Sequence, residues 1–284
     1  MATEAARSRD LNVPLRRQPR AGIRTRTKNA LFEYLPPVLL LVALVGLWEV
    51  LVAALDTQPY VLPAPSRIWR AFLDIRGDLP EHTWRTLSES LLGLAFAAVV
   101  GVALATLIAA VPLVRRVLSP LLVVSQTIPM VALAPLLIIW FGFGMTPKVI
   151  VVALVGFFPI VVSTVDGLIG ADADMVGLVR SMGASRLQVL RYVRIPAALP
   201  AFFAGLKIAA AYAVTGAVIG EWVGASSGLG IVITRSQASF RIDRVFVAIF
   251  VIALLSIALF AAVHLLARLT SPWMYAEQRE GDNG

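Results

Sequence analysis

Residues 172–200 read DADMVGLVRSMGASRLQVLRYVRIPAALP, a polar and arginine-bearing stretch set between long apolar runs. Before it the chain carries no charge from Val149 to Val165, and after Arg194 it carries none from Ile195 to Leu206. A segment with Asp172, Asp174, Arg180, Arg186, Arg191 and Arg194 belongs in water, whereas its flanks belong in hydrocarbon. The stretch therefore reads as a helical insert outside the bilayer. It closes on Pro196 and Pro200, where the next apolar run begins.

The composition agrees with a membrane protein. Of 284 residues, 58% are hydrophobic and 15% charged, with mean hydropathy +0.82. A soluble domain has about 45–50% apolar and about 25% charged residues. Cysteine is absent, which excludes a disulfide framework and thiolate metal sites.

A helix crosses the hydrocarbon core with about 20 apolar residues. Six candidate spans follow: 35–55, 88–112, 117–141, 148–169, 198–221 and 244–267. Ser90–Val114 and Val117–Pro147 hold no charge at all. Runs this long favour helices, and the short alternating segments of a barrel are missing. The expected fold class is all-α, a polytopic membrane protein of about six transmembrane helices. Pro129 and Pro135 in the third span and Pro159 in the fourth predict bends. Gly93, Ala97, Gly101 and Ala105 form a small-residue face suited to close helix packing.

The net charge of +8 is unevenly placed. Residues 1–34 hold eight basic side chains against three acidic ones. Beside a span this reads as cytoplasmic retention rather than nucleic-acid binding, and the tail is expected to lack regular structure. With the N-terminus inside, 16 Lys and Arg fall on the cytoplasmic side and 8 outside, Lys148 among the latter, while Lys207 lies within a span. The bias predicts both termini in the cytoplasm, with a basic tail at 1–34, a membrane domain at 35–270 and a C-terminal tail at 271–284. In SRIWRAFLDIR (66–76), Ile68, Trp69, Phe72 and Ile75 recur at helical spacing, predicting a short helix on the outer interface.

Chemistry-bearing motifs are scarce. No Lys follows a Gly, so no Walker A loop exists. There is no His-Glu-x-x-His, and with only His82 and His264 no metal site is expected. No catalytic set is recognisable, so no enzyme activity is expected. Glu49, Asp166, Lys207 and Glu221 lie in or at the ends of spans. Lys207 can snorkel to the cytoplasmic side. Asp166 and Glu221 read as solvated span ends, and Glu49 is placed to pair with a neighbouring helix or to serve transport. Ser125, Gln126, Thr127, Tyr212 and Thr215 are candidates for a translocation pathway, or for bonds to backbone carbonyls.

Gly183-Ala184-Ser185, with nine residues between Gly183 and Val193, followed by Arg194-Ile195-Pro196, resembles the coupling loop of binding-protein-dependent ABC importer permeases. That pattern runs Glu-Ala-Ala, three residues, Gly, nine residues, Ile-x-Leu-Pro. Here Gly and Pro stand at the matching spacing, and Gly177-Leu178-Val179 replaces Glu-Ala-Ala. Leu62-Pro63-Ala64-Pro65-Ser66, Ile128-Pro129, Phe141-Gly142-Phe143-Gly144, Ala204-Gly205-Leu206-Lys207, and Glu221-Trp222 with Gly228-Leu229-Gly230 are similar to the nitrate/sulfonate/taurine branch, which also holds pyrimidine thiamine-precursor and riboflavin permeases.

The resemblance implies a type I ABC importer permease fold, with the coupling loop at 172–197. It implies Arg180, Gly183, Ala184, Ser185, Arg186, Pro196 and Pro200 as the ATPase-coupling residues. It further implies two copies of an ABC ATPase subunit that bind ATP and Mg, an extracytoplasmic solute-binding protein, and a second permease copy. The location would be a bacterial inner membrane, surrounded by lipid. The chain itself would hold no cofactor and bind no nucleic acid. The rival class is an ion-coupled secondary transporter or channel, for which Glu49 is the deep acid; an intramembrane enzyme is a poorer third.

Overall fold

The computed structural model describes the backbone of residues 23–272 and side chains from residue 35 onward. Among the described residues it is built of helices, with no strand. α1 (Ile23–Ala54), α3 (Leu79–Ala110), α6 (Thr146–Ile169) and α11 (Ile242–Thr270) are long enough to cross a membrane. The fifth such rod is continuous over Arg186–Glu221. It comprises α8 (Arg186–Val189), a π turn (Leu190–Arg194) and α9 (Ile195–Glu221). Short helices complete the order: α2 (Pro65–Ile75), α4 (Pro112–Ser125), α5 (Met130–Phe141), α7 (Ala173–Ser181) and α10 (Leu229–Ala238).

The third expected span, 117–141, is not one helix. α4 and α5 are bent by 100° across a four-residue break, so the described residues hold five helices long and apolar enough to span, or six spans if the bent pair counts as one. Pro129 is the cause. It lacks an N–H and drives the residue before it away from helical torsions. The helix accordingly stops at Ser125 and restarts at Met130, after Pro129 at ψ 118. Pro135 and Pro159 are accommodated inside α5 and α6. At the N-terminus α1 begins at Ile23, so the helix reaches back into the basic segment expected to lack structure. Residues 1–22 and 273–284, which hold most of both expected tails, lie outside the described residues.

The core is where α3, α6 and α9 meet. Small residues let the backbones approach, as membrane helices require when lipid offers no hydrophobic contrast. Ala97, Ala209, Ala210, Ala213 and Ala217 are buried beside Leu94, Val152, Ile160 and Phe203. A Cβ on Gly93 would collide with Val152, and one on Gly205 with the Pro159 carbonyl, while one on Gly101 would sit 3.0 Å from Ile160. Gly93, Ala97, Gly101 and Ala105 thus form the packing face expected of them. α1 is peripheral, its apolar side chains outward; Trp48 touches Phe246 of α11, ring centroids 5.7 Å apart.

α2 is the amphipathic helix expected from residues 66–76, and part of its apolar face packs on the rest of the protein. Ala71, Ile68, Phe72 and Ile75 pack with Leu79, Leu229 and Val247, and Trp69 alone of the expected stripe stays exposed. Glu49 of α1 accepts hydrogen bonds from the backbone N–H of Ser66 (3.0 Å) and from its hydroxyl (2.7 Å). This acid is engaged at the N-terminus of α2, where a carboxylate satisfies free N–H groups and the helix dipole.

Candidate functional site

Segment 172–197 is a helix–turn–helix in which each end has its own local cause. Asp172 starts α7 by accepting hydrogen bonds from the N–H groups of Asp174 (2.8 Å) and Met175 (3.5 Å). Gly183 stops it. With φ at +87° it takes the left-handed conformation open to glycine. The N–H of Gly183 donates to the Arg180 carbonyl (2.9 Å) and that of Ala184 to the Val179 carbonyl (3.2 Å), the paired bonds of a Schellman termination. Ser185 then opens the next helix with a capping box. Its hydroxyl accepts from the Gln188 N–H (3.3 Å) and its N–H donates to the Gln188 side chain (2.7 Å).

The prolines act further along. Pro196 cannot donate to the carbonyl four residues back, and the helix passes this point through the π turn, with the Ile195 N–H bonded to the Leu190 carbonyl. The rod therefore starts at Arg186 rather than near residue 198 as the apolar pattern suggested, because the capping box, not the hydropathy, sets its first turn.

Val176 and Val189 anchor the segment by burial. Arg180, Arg186 and Arg191 are exposed, as are Met175, Leu178, Met182, Leu187 and Tyr192. Met175, Leu178 and Met182 share one helical face at spacings of three and four. Ala184 and Pro196 are half-buried, and Ser185 and Pro200 exposed. A Cβ on Gly183 would meet nothing within 4 Å in the chain itself.

The candidate pathway residues fall into two groups. Ser125 and Thr127, at the α4–α5 break, donate to the carbonyls of Leu122 (2.7 Å) and Val124 (2.8 Å). Gln126 is exposed. Ser125 and Gln126 border a cavity of about 220 Å³ lined also by Leu104, Leu118, Met130 and Phe157. Tyr212 and Thr215 do not line it; they lie three apart on α9 and both face outward from the core.

At the end of the bundle opposite segment 172–197 lies a polar cluster of which the sequence reading picked out one member, and misplaced it. Glu221 was expected at a solvated span end, yet it is fully buried. It accepts from the Thr86 hydroxyl (2.7 Å) and from the Gly230 N–H (2.6 Å). Beside it Glu89, also fully buried, accepts from Lys148 Nζ (3.2 Å) and Arg85 Nε (2.8 Å). Lys148, counted as an external loop charge, is 4% exposed and sits in the first turn of α6. Glu89 was not singled out and Lys148 entered only as an external charge, because both stand at the very start of the expected spans 88–112 and 148–169, next to the charge-free runs. The signal was there: opposite charges at the first residues of two spans that run in the same direction, with the 117–141 span between them.

Asp166 is exposed and Lys207 half-buried. Among the described residues no group of three or more His, Asp or Glu could hold a metal.

The family described as binding-protein-dependent transport system inner membrane component matches residues 97–274. The formylaminopyrimidine transport permease protein ThiX of Halalkalibacterium halodurans is 40% identical over 243 residues, covering 85% of this chain and 97% of the relative. The riboflavin transport system permease protein RibX of Chloroflexus aurantiacus is 38% identical over 241 residues, covering 84% and 89%. The taurine transport system permease protein TauC of Escherichia coli is 30% identical over 240 residues, covering 82% and 87%. In fold, the chain is similar to a chain of the MetNI methionine ABC transporter in an inward-facing conformation. The TM-score is 0.61 at 19% identity, covering 69% of this chain and 97% of that one.

Proposed function

The chain belongs to the binding-protein-dependent transport system inner membrane components, and on that premise we propose how it works. Segment 172–197 is the cytoplasmic coupling element, and the Glu221 end of the bundle faces outside. Arg180, Gly183, Ala184, Ser185 and Arg186 meet a separate ATPase, while Pro196 and Pro200 shape the first turns of the span that leaves it. ATP and Mg are bound by that partner, two copies of which act beneath two copies of this chain. This subunit has no catalytic role of its own. A solute-binding protein delivers cargo on the outer side, and Tyr212, Thr215, Ser125, Gln126 and Thr127 line the route. Both termini are cytoplasmic.

The observation that carries the reading is the continuity of the Arg186–Glu221 rod. Its first turn is set by a capping box in the exposed arginine-bearing segment, and its last residue is locked into the opposite end of the bundle. At about 1.5 Å per residue the rod is about 54 Å long, enough to cross the bilayer with a turn or two to spare. A push on the coupling segment is thereby delivered through the membrane. The secondary-transporter alternative loses its candidate, because Glu49 is engaged with Ser66.

For the cargo, the relatives of 38–40% identity are named for heterocycles and the one at 30% for a sulfonate. This ordering favours a nitrogen heterocycle such as a thiamine pyrimidine or a flavin over a sulfonate or nitrate. Reconstitution of the chain with its ATPase and binding protein in proteoliposomes tests the reading. Uptake should require ATP and loaded binding protein together. Uptake by the chain alone under an imposed proton or sodium gradient would support the secondary carrier instead.

A further inference from the structure

Three consecutive backbone N–H groups open α10, and each is taken by a side chain from another element. Gly228 donates to His82 Nδ1 (3.0 Å), Leu229 to Thr86 Oγ1 (2.9 Å) and Gly230 to Glu221 Oε2 (2.6 Å). Thr86 Oγ1 closes the set by donating to Glu221 Oε1. His82 and Thr86 stand four apart on α3, hence on one face. Side chains at Gly228 or Gly230 would run into the Glu221 carboxylate, which accounts for glycine at both ends of Gly228-Leu229-Gly230. Thr86, Glu221 and Leu229 are all fully buried. Glu89, held by Lys148 and Arg85, fixes the neighbouring wall.

This is more than a helix needs for capping, since one side chain commonly satisfies an N-terminus. Its placement is the informative part. Glu221 ends the rod that begins at the coupling segment, so whatever moves α9 pulls on α10 through the hydrogen bond from the Gly230 N–H, and the reverse holds as well. α10 and the turn after it expose Arg235, Gln237 and Phe240 at this end of the bundle, and Trp222 and Ser226 flank them.

We propose that Glu221, Thr86 and His82 are positioning residues forming a clamp that ties α10 to α9 through Glu221 and to α3 through Thr86 and His82, so that docking of a loaded binding protein on the α10 rim is transmitted along the rod to the ATPase. This rests on the importer reading above.

The test measures ATP hydrolysis by the reconstituted complex with and without loaded binding protein. Thr86→Val keeps the shape and removes both hydroxyl bonds; Thr86→Ser keeps the hydroxyl. Stimulation by loaded binding protein should fall at least about tenfold in Thr86→Val while hydrolysis without it persists, and Thr86→Ser should restore stimulation. A simple packing role would not separate the two variants in this way. Wild-type stimulation in Thr86→Val, in complexes of equal subunit composition, would overturn the clamp. Should Thr86→Val fail to assemble, His82→Ala decides, because it removes only the Gly228 bond at the half-buried edge. Stimulation reduced about threefold supports the clamp, and unchanged stimulation refutes it. Absence of stimulation in the wild-type complex would instead refute the importer reading beneath it.

Discussion

Gly183→Val should cut uptake at least about tenfold while the chain still reaches the membrane in normal amount. The position has φ +87°, and a left-handed residue with a branched Cβ costs about 1–2 kcal/mol. The turn would relax by giving up the bonds to the Arg180 and Val179 carbonyls, which fix how α7 is aimed relative to α8. Insertion is governed by the apolar spans and not by this turn. Gly183→Asn separates two causes, because asparagine tolerates the left-handed conformation. Near-normal uptake in Gly183→Asn would place the requirement in the backbone. Loss in both variants would mean that the ATPase fills the open space beside this glycine, as the coupling-loop resemblance leads one to expect. Normal uptake in Gly183→Val at equal abundance would remove the turn from the coupling element. Uptake and quantitative membrane immunoblots are the measurements.

Lys148→Met should lower stability by about 3–5 kcal/mol, the usual cost of stranding a buried charge. Glu89 would keep only Arg85, whose side chain is 34% exposed, while its own carboxylate stays fully buried. Thermal unfolding of the purified chain in detergent should shift markedly downward. The double variant Glu89→Leu with Lys148→Met should recover most of the loss, since an apolar pair of similar volume removes both desolvation penalties. An unchanged melting curve for Lys148→Met would show that the Glu89–Lys148 pair does not hold α3 to α6.

Much of the architecture could be read from residue order because lipid imposes a simple rule. Charge-free runs of about 20 residues must be helices, and five of the six expected spans are single helices or rods. The break in 117–141 was visible as Pro129, but a proline predicts only that a helix bends or stops. The 100° between α4 and α5 depends on what each packs against. The loop at Gly183 was legible because the Gly and its spacing to Pro196 are close in the chain; the Ser185–Gln188 capping box that opens the next helix came only with the structure. The buried cluster was not, since Glu89 and Lys148 are 59 residues apart and Thr86 and Glu221 are 135 apart. Glu221 looked solvated because hydropathy places a residue along the membrane normal and says nothing of what surrounds it sideways. The π turn left no signal apart from Pro196.

The most direct measurement is the side of the membrane on which each end of the Arg186–Glu221 rod emerges. The native sequence has no cysteine, so Ser185→Cys and Ser226→Cys each create a single thiol at an exposed position. In intact cells a membrane-impermeant maleimide should label Ser226→Cys and leave Ser185→Cys untouched until the membrane is opened to expose the cytoplasmic face. Labelling of Ser185→Cys from outside would contradict the orientation, the contact with a cytoplasmic ATPase and the transmission of force along the rod.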